Sequence, residues 1–301
     1  MSRPATILVT GSSGQVGFEL RRALVLHGRL ICPDRHQFDL SQPATLTAAL
    51  DAWRPDIIVN PAAYTAVDRA EDEPALAHAI NTDAVAAMAR WAAANKALLV
   101  HYSTDYVFDG SKDDAWREDD AANPQSTYGL SKWLGEQAIR DSGCRHFILR
   151  SSWVAGVYGQ NFLKTMLRLA TSRDSLAVVA DQFGAPTPAS LLADVAANLV
   201  TRCQADAEQP YGTYHVAAQG RTNWHDYASF VIALARDAGW PLALAGAPRA
   251  IASRDYPQKA ARPANSQLDC SKLMHTFDLN LPPWQDAVRQ LFQTIDDARK
   301  P

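Results

Sequence analysis

The sequence predicts an α/β fold, a doubly wound parallel sheet joined to a smaller, interleaved C-terminal lobe, and three observations carry that reading. Short apolar, β-branched runs recur between segments of helical spacing; a glycine-spaced loop follows the first run directly; and after about Trp153 the alternation breaks down. The apolar runs are TILVT (6–10), RLICP (29–33), DIIVN (56–60), ALLVHYS (97–103) and HFILRSS (146–152), which suit strands covered on both faces. Between them QVGFELRRALVLHG (15–28), PATLTAALDAW (43–53), EPALAHAINTDAVAAMARWAAANK (73–96) and STYGLSKWLGEQAIRDSG (126–143) read as helices. Strict strand–helix alternation predicts right-handed crossovers and helices on both faces of the sheet.

Beyond Trp153 come a glycine-containing loop, the helix NFLKTMLRLATS (161–172), a short strand LAVVAD (176–181), the turn GAPTP (184–188) and mixed elements to the end. The helix SLLADVAANLVTRC (190–203) and the strand GTYHVAA (212–218) are expected to rejoin the main sheet. The expected division is therefore 1–153 with 190–218 for the sheet, and 154–189 with 219–301 for the smaller lobe. No repeat or low-complexity tract interrupts it.

Composition narrows the class of partner. The chain has 301 residues, 47% hydrophobic and 20% charged, with a formal charge of −3, so no basic footprint marks a nucleic-acid or anionic-membrane surface. The four cysteines, Cys32, Cys144, Cys203 and Cys270, are far apart and in neither disulfide-framework nor zinc spacing. The opening MSRPATILVT holds an apolar run too short for a signal sequence or a membrane span, and a cytoplasmic protein with reduced thiols is the expectation.

TGSSGQVG (10–17) sets Gly11, Gly14 and Gly17 three apart between strand and helix. Gly11 suits a tight turn, Gly14 a close approach of backbone N–H groups to a pyrophosphate, and Gly17 close helix-to-strand packing. With Ser12, Ser13, Gln15 and Val16 these residues form the expected cofactor loop of a Rossmann-type dinucleotide site. At the end of the second strand Asp34 suits ribose hydroxyls and Arg35 a 2′-phosphate, so NADPH and NADH both stay open. Asp39 and Leu40 of FDL fall where an adenine pocket is expected. Ala62 and Ala63 of NPAAYT are small enough for a dinucleotide to lie against; Tyr64 is either a rim residue or a half-exposed aromatic.

Tyr128 and Lys132 are four apart, on one face of the helix after the fourth strand, and Thr104 ends that strand, at the sheet edge where ligands of open α/β folds bind. A phenol with an ordinary pKa of about 10 serves as proton donor or acceptor near neutrality only beside a cation, which Lys132 supplies. A hydroxyl at Thr104 suits a substrate oxygen whose charge changes. Together the three fit hydride transfer to a carbonyl. His101 and His215 read as core histidines, and no histidine has the company of a hydrolytic triad or a zinc site.

At these motifs the sequence resembles the extended short-chain dehydrogenase/reductase superfamily and, more closely, its dTDP-4-dehydrorhamnose reductase family. The likeness spans nearly the whole chain through TGSSGQVGFEL, RPDIIVNPAAYTAVDRAE, STDYVFDG, YGLSKWLGE, LRSSWV, NFLKTMLRLA, DQFGAPT, GTYHVA and RPANSQLD. The resemblance implies reduction of the C4 ketone of dTDP-4-dehydro-β-L-rhamnose by NADPH or NADH, the last step of dTDP-rhamnose biosynthesis for surface polysaccharide such as lipopolysaccharide O-antigen. It implies Tyr128 as proton donor, Lys132 as its partner and cofactor anchor, and Thr104 as the oxygen-binding hydroxyl. It also implies a sugar nucleotide between the lobes, touched by Asp105, Tyr106, Trp153, Asn161 and Gln182. Lys164, Arg168 and Arg262 become candidates for the diphosphate. Asn81 of INTDAV matches a superfamily asparagine, with a catalytic role and a bond to neighbouring backbone both open.

Two departures accompany the likeness. The tyrosine expected two residues after Trp153 is Ala155, with Tyr158 three further on, and the glycine loop carries Gln15 where some relatives have a carboxylate for magnesium at a subunit contact. Mg2+ is thus implied only weakly, and either a monomer or a homodimer is expected. An epimerase or dehydratase of another nucleotide sugar, and a non-catalytic NADP-binding regulatory subunit of the methionine adenosyltransferase type, stand as alternatives.

Overall fold

The computed structural model describes residues 3–299. In chain order the strands are β1 Thr6–Val9, β2 Arg29–Ile31, β3 Ile57–Asn60, β4 Leu98–Thr104, β5 Arg145–Ser151, β6 Val154–Ala155, β7 Ala177–Val179, β8 Phe183–Gly184, β9 Thr187–Pro188, β10 Gly212–His215, β11 Thr222–Asn223 and β12 Arg249–Ile251. The helices are α1 Gln15–Leu24, α2 Pro43–Trp53, α3 Val67–Ala70, α4 Pro74–His78, α5 Ala84–Asn95, α6 Thr127–Ser142, α7 Phe162–Ser172, α8 Ala189–Ala205, α9 Trp224–Asp237, α10 Ser271–Phe277 and α11 Trp284–Asp297.

Six strands form one parallel sheet in the order β10-β5-β4-β3-β1-β2. Its strands are apolar on both sides, and the period of two sorts them. Ile7, Val9, Val59 and Val100 enter the core shared with α1 and α8, while Leu8, Ile58 and Leu99 enter the opposite core with α2 and α5. The chain goes from β1 outward to β2 and then back across to β3, so the carboxyl ends of β1 and β3 part at a switch point, where open α/β sheets form their ligand crevice.

The segment returning at 189–215 places α8 against α1 and lays β10 beside β5. The remaining chain makes three two-stranded pieces, β7 with β12, β8 with β11 and β6 with β9. Around them α7, α9 and α11 close an aromatic-rich core of Tyr227, Trp284, Phe292 and their neighbours.

Two elements differ from the sequence expectation. The first helix stops at Leu24, four residues short of Gly28. The long helix expected over 73–96 is broken by a π turn at Ala79–Asp83. There Asn81 turns inward, accepting from the backbone N–H of Tyr64 at 2.8 Å and donating to the Tyr64 carbonyl at 3.1 Å and the Ser131 hydroxyl at 3.0 Å. A wide turn of this kind re-aims one side chain without ending the helix.

Candidate active site

The crevice starts at the glycine loop. Gly11 has φ +52°, and a Cβ there would stand 2.9 Å from that of Ala62; a Cβ on Gly17 would meet the Gly11 carbonyl oxygen at 2.1 Å. Both positions admit only glycine, and Ala62 must be small for the same reason. Gly14 opens α1 with no side chain capping it, so the helix offers bare N–H groups of the kind that bind phosphate. Ser12 and Ser13 lie along this exposed rim, whereas Val16 packs on the sheet core.

Gln15 turns elsewhere. Its Oε1 accepts from the Gly156 N–H and from Asn161 Nδ2, each at 2.9 Å, and Phe18 of α1 stacks on Tyr158 at 4.8 Å. The loop after Trp153 is thereby clasped to the glycine loop and the start of α1. A carboxamide oxygen already accepting two hydrogen bonds is no ligand for magnesium, and among the described residues no three His, Cys, Asp or Glu side chains are grouped to hold a metal ion.

After β2, Asp34 is engaged in its own turn, its Oδ1 accepting from the N–H groups of His36 and Gln37. Arg35 has a 73% exposed side chain and a single 3.5 Å pairing with Asp39, and both line a cavity with His36 and Gln42. Asp39 caps Ser41, and Leu40 is buried beneath. Ala63 and Tyr64 are half-buried, and the Tyr64 hydroxyl donates to Glu73 at 2.6 Å.

At the carboxyl end of β4 the chain turns sharply. Thr104 caps a single 3-10 turn, Asp105–Val107, accepting from the Tyr106 N–H at 3.2 Å and donating to Asp105 at 3.1 Å. Ser126 caps α6 through the Gly129 N–H at 3.1 Å, which aims Tyr128 at Tyr106 edge-on, ring centres 5.4 Å apart. The Tyr128 ring keeps a partly exposed edge, yet the protein around the phenol pushes its pKa up to about 12, the Thr104 hydroxyl favouring the phenolate and Asp105 opposing it. One turn on, Lys132 is 2% exposed; burial draws its ammonium down to about 8, against the pull of Glu136. Burial likewise raises Asp105 to about 6 despite bonds from Ser266 and Thr104.

Next to this cluster a cavity of about 860 Å³ opens between the lobes, with Tyr106, Trp153, Gln182 and Arg262 in its lining. Trp153 holds φ +49°, a conformation that costs a bulky residue about 1–3 kcal/mol. It is held there by Trp224, stacked 3.6 Å away, and by Gly184, where a Cβ would stand 2.8 Å from the indole. Arg262 reaches the cavity but pairs with Asp68 at 2.7 Å; Gln182 donates to Ser253 at 2.9 Å. Arg168 lines the cavity. Lys164 and Asn161 are engaged behind it, Lys164 on the carbonyls of Val157 and Gly159 and Asn161 as the cap of α7. Arg173, Arg249, Phe162, Trp224 and Tyr256 also line the cavity. Sequence reasoning missed these five, since isolated basic and aromatic residues carry no spacing signal.

The family model described as RmlD substrate binding domain matches residues 5–296. The chain is 47% identical over 289 residues to dTDP-4-dehydrorhamnose reductase of Salmonella typhimurium, covering 95% of this chain and 96% of that one. It belongs to the dTDP-4-dehydrorhamnose reductase family. The family member from Escherichia coli K12 is 46% identical over 293 residues, with 96% and 97% covered. Among solved structures the chain is similar to the family's enzyme from Clostridium acetobutylicum, TM-score 0.89 at 30% identity, covering 96% of this chain and 99% of that one. The Bacillus anthracis enzyme, in complex with NADP, gives TM-score 0.88 at 32% identity with the same coverage. No helix among the described residues is long and apolar enough to cross a membrane.

Proposed function

We propose that this protein reduces the C4 ketone of dTDP-4-dehydro-β-L-rhamnose to dTDP-L-rhamnose with NADPH. The observation that carries the reading is the Thr104 hydroxyl acting on the Tyr128 phenol, with Lys132 one turn further along α6 and Tyr106, edge-on to Tyr128, lining the inter-lobe cavity, in a chain of this family. NADPH, when bound, supplies the hydride; the glycine loop, Ala62 and Lys132 are the residues to hold it. Tyr128 gives its proton to the carbonyl oxygen as that oxygen gains charge, Thr104 donates a hydrogen bond to the same oxygen, and the Lys132 ammonium stabilises the phenolate left behind. Residues 1–153 and 190–218 serve the dinucleotide, while 154–189 and 219–301 serve the sugar nucleotide. There Trp153 and Tyr106 wall the sugar, and Arg168 and Arg262 face the diphosphate.

NADPH is favoured over NADH by the free reach of Arg35 and the turn-bound carboxylate of Asp34. Arg35→Ala should raise KM for NADPH about tenfold and leave that for NADH unchanged; equal effects on both would reverse the preference. The assignment itself is tested by mixing the protein with stoichiometric NADPH and the dTDP-4-keto sugar and following the nicotinamide absorbance. Loss of the band is expected, and its persistence would favour an epimerase or dehydratase in which the cofactor is regenerated.

A further inference from the structure

His101 lies in the middle of β4, completely buried, three residues before Thr104. Both its ring nitrogens have polar neighbours. Asn60 Nδ2 is 3.0 Å from Nδ1, and Lys132 Nζ is 3.2 Å from Nε2. Asn60 in turn meets the Thr10 hydroxyl at 2.5 Å. Thr10, Asn60, His101 and Lys132 are all within 2% of full burial, and they run as one chain from the switch point at β1 and β3 to the face of α6. The other contact of Lys132 is the Tyr102 carbonyl at 2.6 Å.

The chemistry of the chain is constrained. Burial, and then the charge of Lys132, hold His101 well below its ordinary 6.5, so the ring is neutral and has one donor and one acceptor nitrogen. Opposite an ammonium, Nε2 must accept. The ring proton then sits on Nδ1, and the Asn60 carboxamide turns over, exchanging the positions of its oxygen and nitrogen, so that its oxygen accepts from the ring and its NH2 group donates to Thr10. Two of the three Lys132 donors are thereby committed, to Tyr102 and to His101, and the direction of the third is set.

We infer that His101 is a positioning residue for the reduction: its Nε2, locked from behind by Asn60, accepts a hydrogen bond from Lys132 and fixes where that amine stands beneath the crevice and beside Tyr128. The inference rests on Lys132 being the partner of Tyr128 and of the cofactor. No carboxylate competes for the amine directly. Glu136, one turn on along α6, is held by Arg150 of β5 and by Arg140; Tyr128 lies one turn back, Asp105 and Tyr106 follow β4, and the α4–α5 segment presents the uncharged Asn81 and Thr82 to α6.

Side-chain length separates this role from simple core filling. His101→Gln carries a carboxamide to the depth of Nε2 and keeps a partner for Lys132; His101→Asn ends at the depth of Nδ1 and keeps only Asn60; His101→Leu keeps neither. Two readouts need no sugar: NADPH affinity by nicotinamide fluorescence, and titration of the Lys132 ε-methylene by NMR in the cofactor-free protein. Loss of the acceptor should weaken NADPH binding and the proton affinity of Lys132 each by about tenfold in the Asn and Leu variants, with the Gln variant near the parent. Turnover should follow the same order. Asn and Leu variants that fold like the parent and match it in both readouts would overturn the inference, as would losses in all three that track lowered Tm. An active-site fault in the reductase reading shows differently, as a parent protein that binds NADPH and never oxidises it with the dTDP sugar.

Discussion

Two buried charges sit one helical turn apart on α6 and are treated in opposite ways. Glu136 is completely buried among charged partners: Arg150 grips both carboxylate oxygens at 2.9 and 2.7 Å, Arg140 adds a third contact at 3.1 Å, and Ser103 donates a short hydrogen bond. Burial works to raise its pKa more than any one partner lowers it, and the charge and hydrogen bonds of Arg150, the Ser103 hydrogen bond and the Arg140 charge together outweigh that and hold it below the ordinary carboxylate range. Lys132, equally deep, has only neutral partners, a carbonyl and an imidazole, and its pKa falls to about 8. A full set of counter-charges makes Glu136 a fixed tie between α6 and β5. Their absence leaves Lys132 poised and reactive, because a buried ion without a counter-ion pays the desolvation cost as a shifted pKa.

The contrast can be broken most strongly at the paired site. Glu136→Leu should leave Arg150 buried and uncompensated and cost about 3–5 kcal/mol of stability by urea unfolding, while Glu136→Leu with Arg150→Met should recover most of it. At the unpaired site the sign inverts. Lys132 titrates near 8 when folded and near its ordinary 10.5 when unfolded, so across that window the unfolded chain binds the extra proton and stability rises with pH. Below pH 8 the ammonium costs up to about 3 kcal/mol. Lys132→Met should therefore raise stability at neutral pH and remove that slope, while lowering both NADPH affinity and turnover.

Smaller effects sharpen the same comparison. Tyr128→Phe should leave unfolding nearly unchanged and cut turnover about 10²-fold, as removal of a placed proton donor does; near-parental rates would move the acid elsewhere. Ser103→Ala removes one hydrogen bond from a buried carboxylate and should cost about 1–2 kcal/mol in unfolding. Arg140→Ala, at the partly exposed end of the network, should cost less than about 1 kcal/mol and lose even that in high salt.

Legibility in the sequence follows the range of the interaction. Five of the six strands of the main sheet read directly from apolar runs, and α2 was expected over its observed span, Pro43–Trp53, because burial on both faces and a proline start are local signals. The same signal lay unread in α11, where Trp284, Ala287, Val288, Leu291 and Phe292 repeat at helical spacing. The π turn at Ala79–Asp83 could not be read, since a partner seventeen residues away, the Tyr64 backbone, widens it. Trp153 at φ +49° is likewise held by Trp224 and Gly184, which no local pattern links to it.

The sequence by itself determined the parallel α/β plan, the glycine turn between β1 and α1, and the placing of Thr104 at the end of β4 with Tyr128 and Lys132 one turn apart on α6, because each depends on spacing within one strand–turn–helix unit. The tertiary structure alone decided which charges have partners, that His101 stands under Lys132, that Gln15 clasps the Gly156–Asn161 loop rather than offering a metal ligand, and which of the basic side chains reach the cavity. Those outcomes depend on burial and on contacts between segments dozens of residues apart, and the desolvation they impose is what sets the chemistry of the site.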